Sequence, residues 1–205
     1  MEGCVVITPE KIYSGEDEVI NFITASGSRV HIRKPQYNSD DLRFYTERVA
    51  KQSILHNISL HHNLQIVNEF NLGGYHMSYS DMRAHETHKE IIISCSTHSI
   101  IEAEEAEKSN IEYYFLSPIF DSISKNGYKS NFTSKDISLF LALKRRCVAL
   151  GGVDYNKLHL LSGFDSIALL GAVWVIEDGK INVSQSIKQF EKIDELWREL
   201  KDCNI

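Results

Sequence analysis

The chain has 205 residues, 42% of them hydrophobic and 24% charged, and a formal net charge of −6. That length suits one soluble domain over residues 1–205 and is short for two. The acidic balance, with no run rich in Lys and Arg, excludes a broad nucleic-acid face, so any anion site has to be local. No apolar run has the length of a membrane span and residues 1–6 lack a signal pattern, so a cytoplasmic chain without a membrane partner is expected. The four cysteines, Cys4, Cys95, Cys147 and Cys203, have no C-x-x-C spacing. The first three lie in apolar runs, where a free Cys packs as a small hydrophobe, so neither disulfides nor a cysteine zinc site is expected.

In chain order, the β-branched run at 4–8 predicts a first strand, ended by Pro9. Val19, Ile20, Phe22 and Ile23 have helical spacing within 16–25, before Gly27. Residues 29–33 alternate as a second strand, halted by Pro35, and Ser39 or Asp40 is expected to cap a helix to about Lys51. A third strand is read at 54–61, a short helix at 64–70 and a fourth strand at 75–78. The run 91–96 is a fifth strand. Ser99 and Glu102 then have capping-box spacing at the start of a helix with a Glu-rich outer face. Residues 113–116 are a sixth strand, 134–146 a helix, 147–152 a seventh strand with its turn, and 156–161 a short helix. An eighth strand at 166–170 and a helix at 184–200 complete the chain. Eight strand–helix alternations argue for parallel strands and helical crossovers. A closed (β/α)8 barrel fits better than a doubly wound sheet, since no G-x-G-x-x-G follows the first strand.

In such a barrel, function lies where the strands end. His31 and Arg33 share the parity opposite to Val30 and Ile32, which places them toward the mouth. Ser94, Ser96 and His98 do the same on the fifth strand. The loop 117–128 leaves the sixth strand through Pro118 with Ser122, Ser124, Lys125 and Gly127, a set of donors and a cation suited to an anion. Together with Arg33 and Lys34, Lys125 favours a phosphate-bearing ligand. Gly151-Gly152 and Gly171-Ala172 follow the last two strands, where backbone N–H groups often hold phosphate. Of the adjacent His61 and His62, one with Asp81 is read as a metal pair, since both cannot face one ion from an extended chain.

In order and spacing, His31-Ile32-Arg33-Lys34, Gly74-Tyr75-His76-Met77, Ser96-Thr97-His98-Ser99, Ser117-Pro118-Ile119-Phe120 through Lys125, Ala149-Leu150-Gly151-Gly152 and Leu170-Gly171-Ala172 resemble the thiamine phosphate synthase and thiazole tautomerase family across nearly the whole chain. The resemblance implies a compact (β/α)8 barrel that joins a phosphorylated pyrimidine, as its diphosphate, to thiazole phosphate. Ionisation of the diphosphate would give a pyrimidine carbocation, with Mg2+ and the catalytic set Arg33, Ser96, Lys125 and His31 serving the departing pyrophosphate. Lys34, His98, Ser122, Ser124, Gly151, Gly152, Gly171 and Ala172 would bind substrate and phosphate, with Asp81 and His62 at the metal. His61-His62-Asn63 replaces the synthases' Asn-Asp-Asp stretch, which weakens the Mg2+ expectation. Pro118 stands where the tautomerases carry their catalytic histidine. A tautomerase-like enzyme and a non-catalytic thiazole or thiamine phosphate-binding regulator therefore remain the alternatives. The oligomeric state is open, a homodimer being one option.

Overall fold

Short β-branched runs that alternate with amphipathic helices pair in parallel and close on themselves. The computed structural model describes residues 3–83, 92–121, 132–141 and 146–203. In chain order the elements are β1 (Val5–Ile7), α1 (Glu16–Ala25), β2 (Arg29–Ile32), α2 (Ser39–Ala50), β3 (Ile58–His61), α3 (Leu64–Glu69), β4 (Gly74–Ser78) and α4 (Tyr79–Met82). There follow β5 (Ile92–Thr97), α5 (Ile100–Lys108), β6 (Tyr113–Leu116), α6 (Ser134–Leu141), β7 (Cys147–Leu150) and β8 (Ser166–Leu169). A short antiparallel pair, β9 (Ile176–Glu177) and β10 (Lys180–Ile181), precedes the long helix α7 (Val183–Asp202). Strands β1 to β8 form a closed barrel in sequence order, and β8 returns to β1.

Four local expectations change. Asn38, rather than Ser39 or Asp40, caps α2, its side chain accepting the Asp40 and Asp41 N–H groups at 3.0 and 2.9 Å. The third strand begins only at Ile58, because Leu55–Asn57 form a 3-10 turn closed by Asn57 N–H on the Ile54 carbonyl. The short helix after β7 is also 3-10, over Tyr155–Leu160. The β9–β10 hairpin was unexpected, although its turn residues Asp178 and Gly179 have φ of 48° and 73°. An Asp-Gly pair suits that geometry. Residues 142–145 of the expected helix lie outside the described residues, and Arg146, its expected last residue, is not helical.

The barrel sheet has two faces. Outward residues such as Val30, Ile32, Leu60, Met77, Tyr114 and Leu169 pack under the helices in one core. Helix α7 buries Phe190, Ile193 and Trp197 there, with Val19, Ile20 and Ile23 of α1 in the same cluster. Asp194 fastens this layer to the start of the chain: its carboxylate accepts from the Cys4 N–H at 3.0 Å, Ser28 Oγ at 3.1 Å and Arg198 Nε at 2.7 Å. Val5, Ile7, Tyr113, Phe115, Val148 and Ala168 form a second, inner cluster. The strand period of two separates the two faces.

Candidate active site

Because neighbouring strands run in register, inward residues of β2 to β6 stand side by side in the lumen. His31 pairs in register with Ser59, His61 with His76, His76 with Ser94, and Ser94 with Tyr113. At the lower level Arg29 donates to Ser59 Oγ at 3.1 Å and to the His56 carbonyl at 2.9 Å. Above it, His31 Nδ1 lies 3.1 Å from His61 Nε2, and His31 Nε2 lies 2.6 Å from the Tyr113 hydroxyl. His76 places its two ring nitrogens 2.9 Å from Ser94 Oγ and 2.9 Å from Ser96 Oγ. Phe115 closes the group, its ring stacked on His76 at 4.8 Å between centroids. Burial, reinforced by nearby positive groups, holds His31 and His61 well below the ordinary imidazole value and pushes His76 down to about 3. All three are neutral at physiological pH.

The rim lies directly above. Arg33 follows β2 and lies close enough to His61 and His76 for its charge to depress both. Its Nη1 donates to Glu10 at 2.6 Å, while 36% of the side chain stays exposed. His62 takes a positive φ of 59° and points outward, its Nδ1 3.9 Å from Asp81. Asp81 is exposed and accepts from Ser78 Oγ at 2.6 Å. Ser96 is half-buried at the end of β5, and His98 is exposed, its Nδ1 donating to the Ser117 carbonyl at 3.0 Å. Arg33, His62 and Ser96 thus gather around His61 and His76, with Asp81 beside His62.

Gly151 and Gly152 have φ of 96° and 64°, and close packing adds a second constraint on side chains there. A Cβ on Gly151 would stand 2.8 Å from Pro118 Cα, and one on Gly152 would stand 2.7 Å from the Asp121 carbonyl. This close approach lets Ile119 N–H and Phe120 N–H donate to Leu150 and Gly151. Lys157, which the sequence reading passed over, reaches the Gly152 carbonyl at 2.7 Å and Asp154 at 2.8 Å. At Gly171 an added Cβ would meet open space. Ala172 packs half-buried against the core.

Two predicted residues lie elsewhere. Lys34 is turned away from the rim, under α1. Its ammonium donates to Glu16 at 2.5 Å and to the Pro9 and Lys11 carbonyls at 2.7 and 2.9 Å. Both side chains of the Lys34–Glu16 pair are fully buried. Three donors with three partners leave Lys34 nothing for a phosphate. His31 is in the lumen rather than at the mouth, fully buried with both ring nitrogens engaged. Ser122, Ser124 and Lys125 lie outside the described residues.

In sequence, His61 stands out only as one of two candidate metal ligands and His76 only as part of a motif, with neither joined to His31. Inward parity on three consecutive strands was the available signal.

The model of the family "Thiamine monophosphate synthase" matches residues 4–173. A thiamine-phosphate synthase of Chlorobium phaeobacteroides is 25% identical over 179 residues, covering 82% of this chain and 86% of that one. One from Pyrococcus horikoshii is 31% identical over 115 residues, 54% of this chain and 56% of that relative. Among solved structures, a thiamine phosphate pyrophosphorylase from Bacteroides thetaiotaomicron superposes with a TM-score of 0.76, at 24% identity and 98% coverage of both chains.

Proposed function

Because the chain belongs to the thiamine monophosphate synthase family, we propose that it joins hydroxymethylpyrimidine diphosphate to thiazole phosphate in the cytoplasm, releasing pyrophosphate in thiamine biosynthesis. The observation that carries this reading is the gathering of Arg33, Asp81 and Ser96 on one rim of the barrel, above a neutral lumen. Negative charge grows on the departing diphosphate as its bond to the pyrimidine methylene breaks. A positioned guanidinium and hydroxyl stabilise that charge more strongly than they stabilise the resting substrate. Arg33 is assigned the leaving phosphates, exchanging its surface pair with Glu10 for them, and Ser96 donates a hydrogen bond beside it. Lys125, with Ser122 and Ser124, is assigned to the same diphosphate on the family pattern alone. The thiazole phosphate is assigned to the backbone around Gly151 and Gly152 and to Gly171-Ala172, with Lys157 nearby. His98, held by the Ser117 carbonyl, is assigned to substrate binding on the family pattern alone.

The family is generally Mg2+-dependent, and the rim fits that ion through one oxygen ligand. Asp81 is exposed, its carboxylate oriented by Ser78. One carboxylate plus substrate phosphates is a common Mg2+ set, whereas the His62 imidazole suits softer metals. When bound, Mg2+ would neutralise the leaving pyrophosphate.

The test is a product assay with both substrates, with and without Mg2+. Thiamine phosphate should form only with the metal. Arg33→Ala and Asp81→Asn should each lower kcat/KM by about 100-fold or more, the scale of losing a transition-state charge partner. A folded chain that binds thiazole phosphate without making product would overturn the reading in favour of a non-catalytic binder.

A further inference from the structure

We propose that His31, His61 and His76 form a transition-metal site inside the barrel, of the kind that takes Zn2+, distinct from the Mg2+ ligands on the rim. One ring nitrogen from each histidine can be chosen so that all three lie within 4.8 Å of one another, and all three side chains are buried. The closest pair, His31 Nδ1 and His61 Nε2, is 3.1 Å apart. Two nitrogens bound tetrahedrally at zinc distances sit about 3.3 Å apart, so that pair is already near a ligating separation. The wider contacts need to close by about an ångström or more, within reach of small ring rotations.

The hydrogen-bond partners around the three rings suit a ligating role. A ligating histidine usually gives its other ring N–H to an oxygen, which fixes tautomer and orientation. Here His31 Nε2 has Tyr113 Oη at 2.6 Å, so an ion would take Nδ1 in place of its present contact with His61 Nε2. His76 has a serine hydroxyl 2.9 Å from each nitrogen, so either serine can take the N–H and free the opposite nitrogen. Three nitrogen donors select zinc-like ions over Mg2+ or Ca2+. Three protein ligands also leave a fourth position. Half-buried Ser96 stands beside His76, and the rim residues Arg33 and His62 lie above the cluster. The fourth position therefore opens toward the mouth, where water or an anion can fill it.

The test needs no turnover. Chelator-treated protein is titrated with Zn2+ by calorimetry and with Co2+ by visible absorption, in the absence of both substrates. One ion per chain is expected, with the intense Co2+ absorption of a four-coordinate site. His31→Gln and His61→Gln should abolish stoichiometric binding, Tyr113→Phe should weaken it by about 10-fold, and the exposed His159→Gln should leave it unchanged. If a ligand variant fails to fold, 15N spectra of histidine-labelled wild type settle the matter, since Zn2+ must shift His31, His61 and His76 and no others. Absence of binding, binding that survives both ligand variants, or shifts at other histidines would overturn the site. The lumen would then be a hydrogen-bonded histidine ladder. None of these outcomes bears on the synthase reaction, whose readout is product.

Discussion

The two halves of the barrel lumen are built on opposite principles. From β6 around to β1, Phe115, Val148, Ala168, Val5 and Ile7 fill the interior with apolar side chains. From β2 to β5, Arg29, His31, Ser59, His61, His76 and Ser94 fill it with polar ones, all buried. Tyr113 belongs to both, its ring in the apolar cluster and its hydroxyl on His31. An apolar half needs only volume and shape, whereas a polar half needs a partner for every donor and acceptor. The polar half meets that need with hydroxyls, which can donate or accept, and with imidazoles stripped of charge. A barrel that wanted only stability would be filled with branched aliphatics throughout. Arg33, Asp81 and Ser96, the residues assigned to the proposed reaction, stand on the rim of the polar half.

Substitutions and pH can break this comparison. The largest effect belongs to the apolar half: Phe115→Ala should cost about 3–5 kcal/mol in denaturant unfolding, since Phe115 is fully buried between the two halves. A loss below about 1 kcal/mol would mean that the lumen repacks freely. Next comes acid. The folded-state values of the three histidines lie below that of an unfolded imidazole, so the unfolded chain binds more protons as pH falls through about 6.5. Stability is therefore full above that pH and declines below it, toward about 3 for His76. Metal-free protein should lose about 2 kcal/mol between pH 7 and pH 5 through His76. His76→Gln should flatten the profile by that amount, and an unchanged slope would place the sensitivity elsewhere.

Smaller effects sharpen the boundary between the halves. Tyr113→Phe keeps the ring and removes the partner of His31 Nε2, and should cost about 1–3 kcal/mol. Urea midpoints identical to wild type would show that His31 finds another partner. Last, thiol labelling should find one reactive cysteine in the folded chain and four in denaturant. Cys4, Cys95 and Cys147 are buried, with their thiols pushed up by burial, Cys95 to about 12, while Cys203 is exposed. Labelling of more than one thiol at native conditions would reveal opening of the outer layer.

The sequence by itself determined the alternation of strands and helices, the closed barrel, and which strand residues face inward. Period two and period 3.6 are local properties, written into Val30 and Ile32 against His31, or into the Ser99 cap whose Oγ accepts the Glu102 N–H at 3.2 Å. Even the places of Arg33, Ser96 and Asp81 at the rim were legible, because Ser96 stands near the end of a recognisable strand and Arg33 and Asp81 just past the ends of two others. Tertiary structure decided what these residues meet. Lys34 looks like a rim cation, yet it bends under α1 to Glu16, a residue 18 positions earlier that only the β1–α1–β2 crossover brings near. Gly151 looks like a phosphate turn, yet the nearness of Pro118 already requires a residue without a side chain there. His31, His61 and His76 lie on three separate strands, and only the pairing of β2, β3 and β4, with His61 opposite His76 and His31 opposite Ser59, brings their rings together. Side-chain parity is set by each strand's own backbone. Register is set by hydrogen bonds between strands and by closure of the whole barrel, and those are not local to any stretch of sequence.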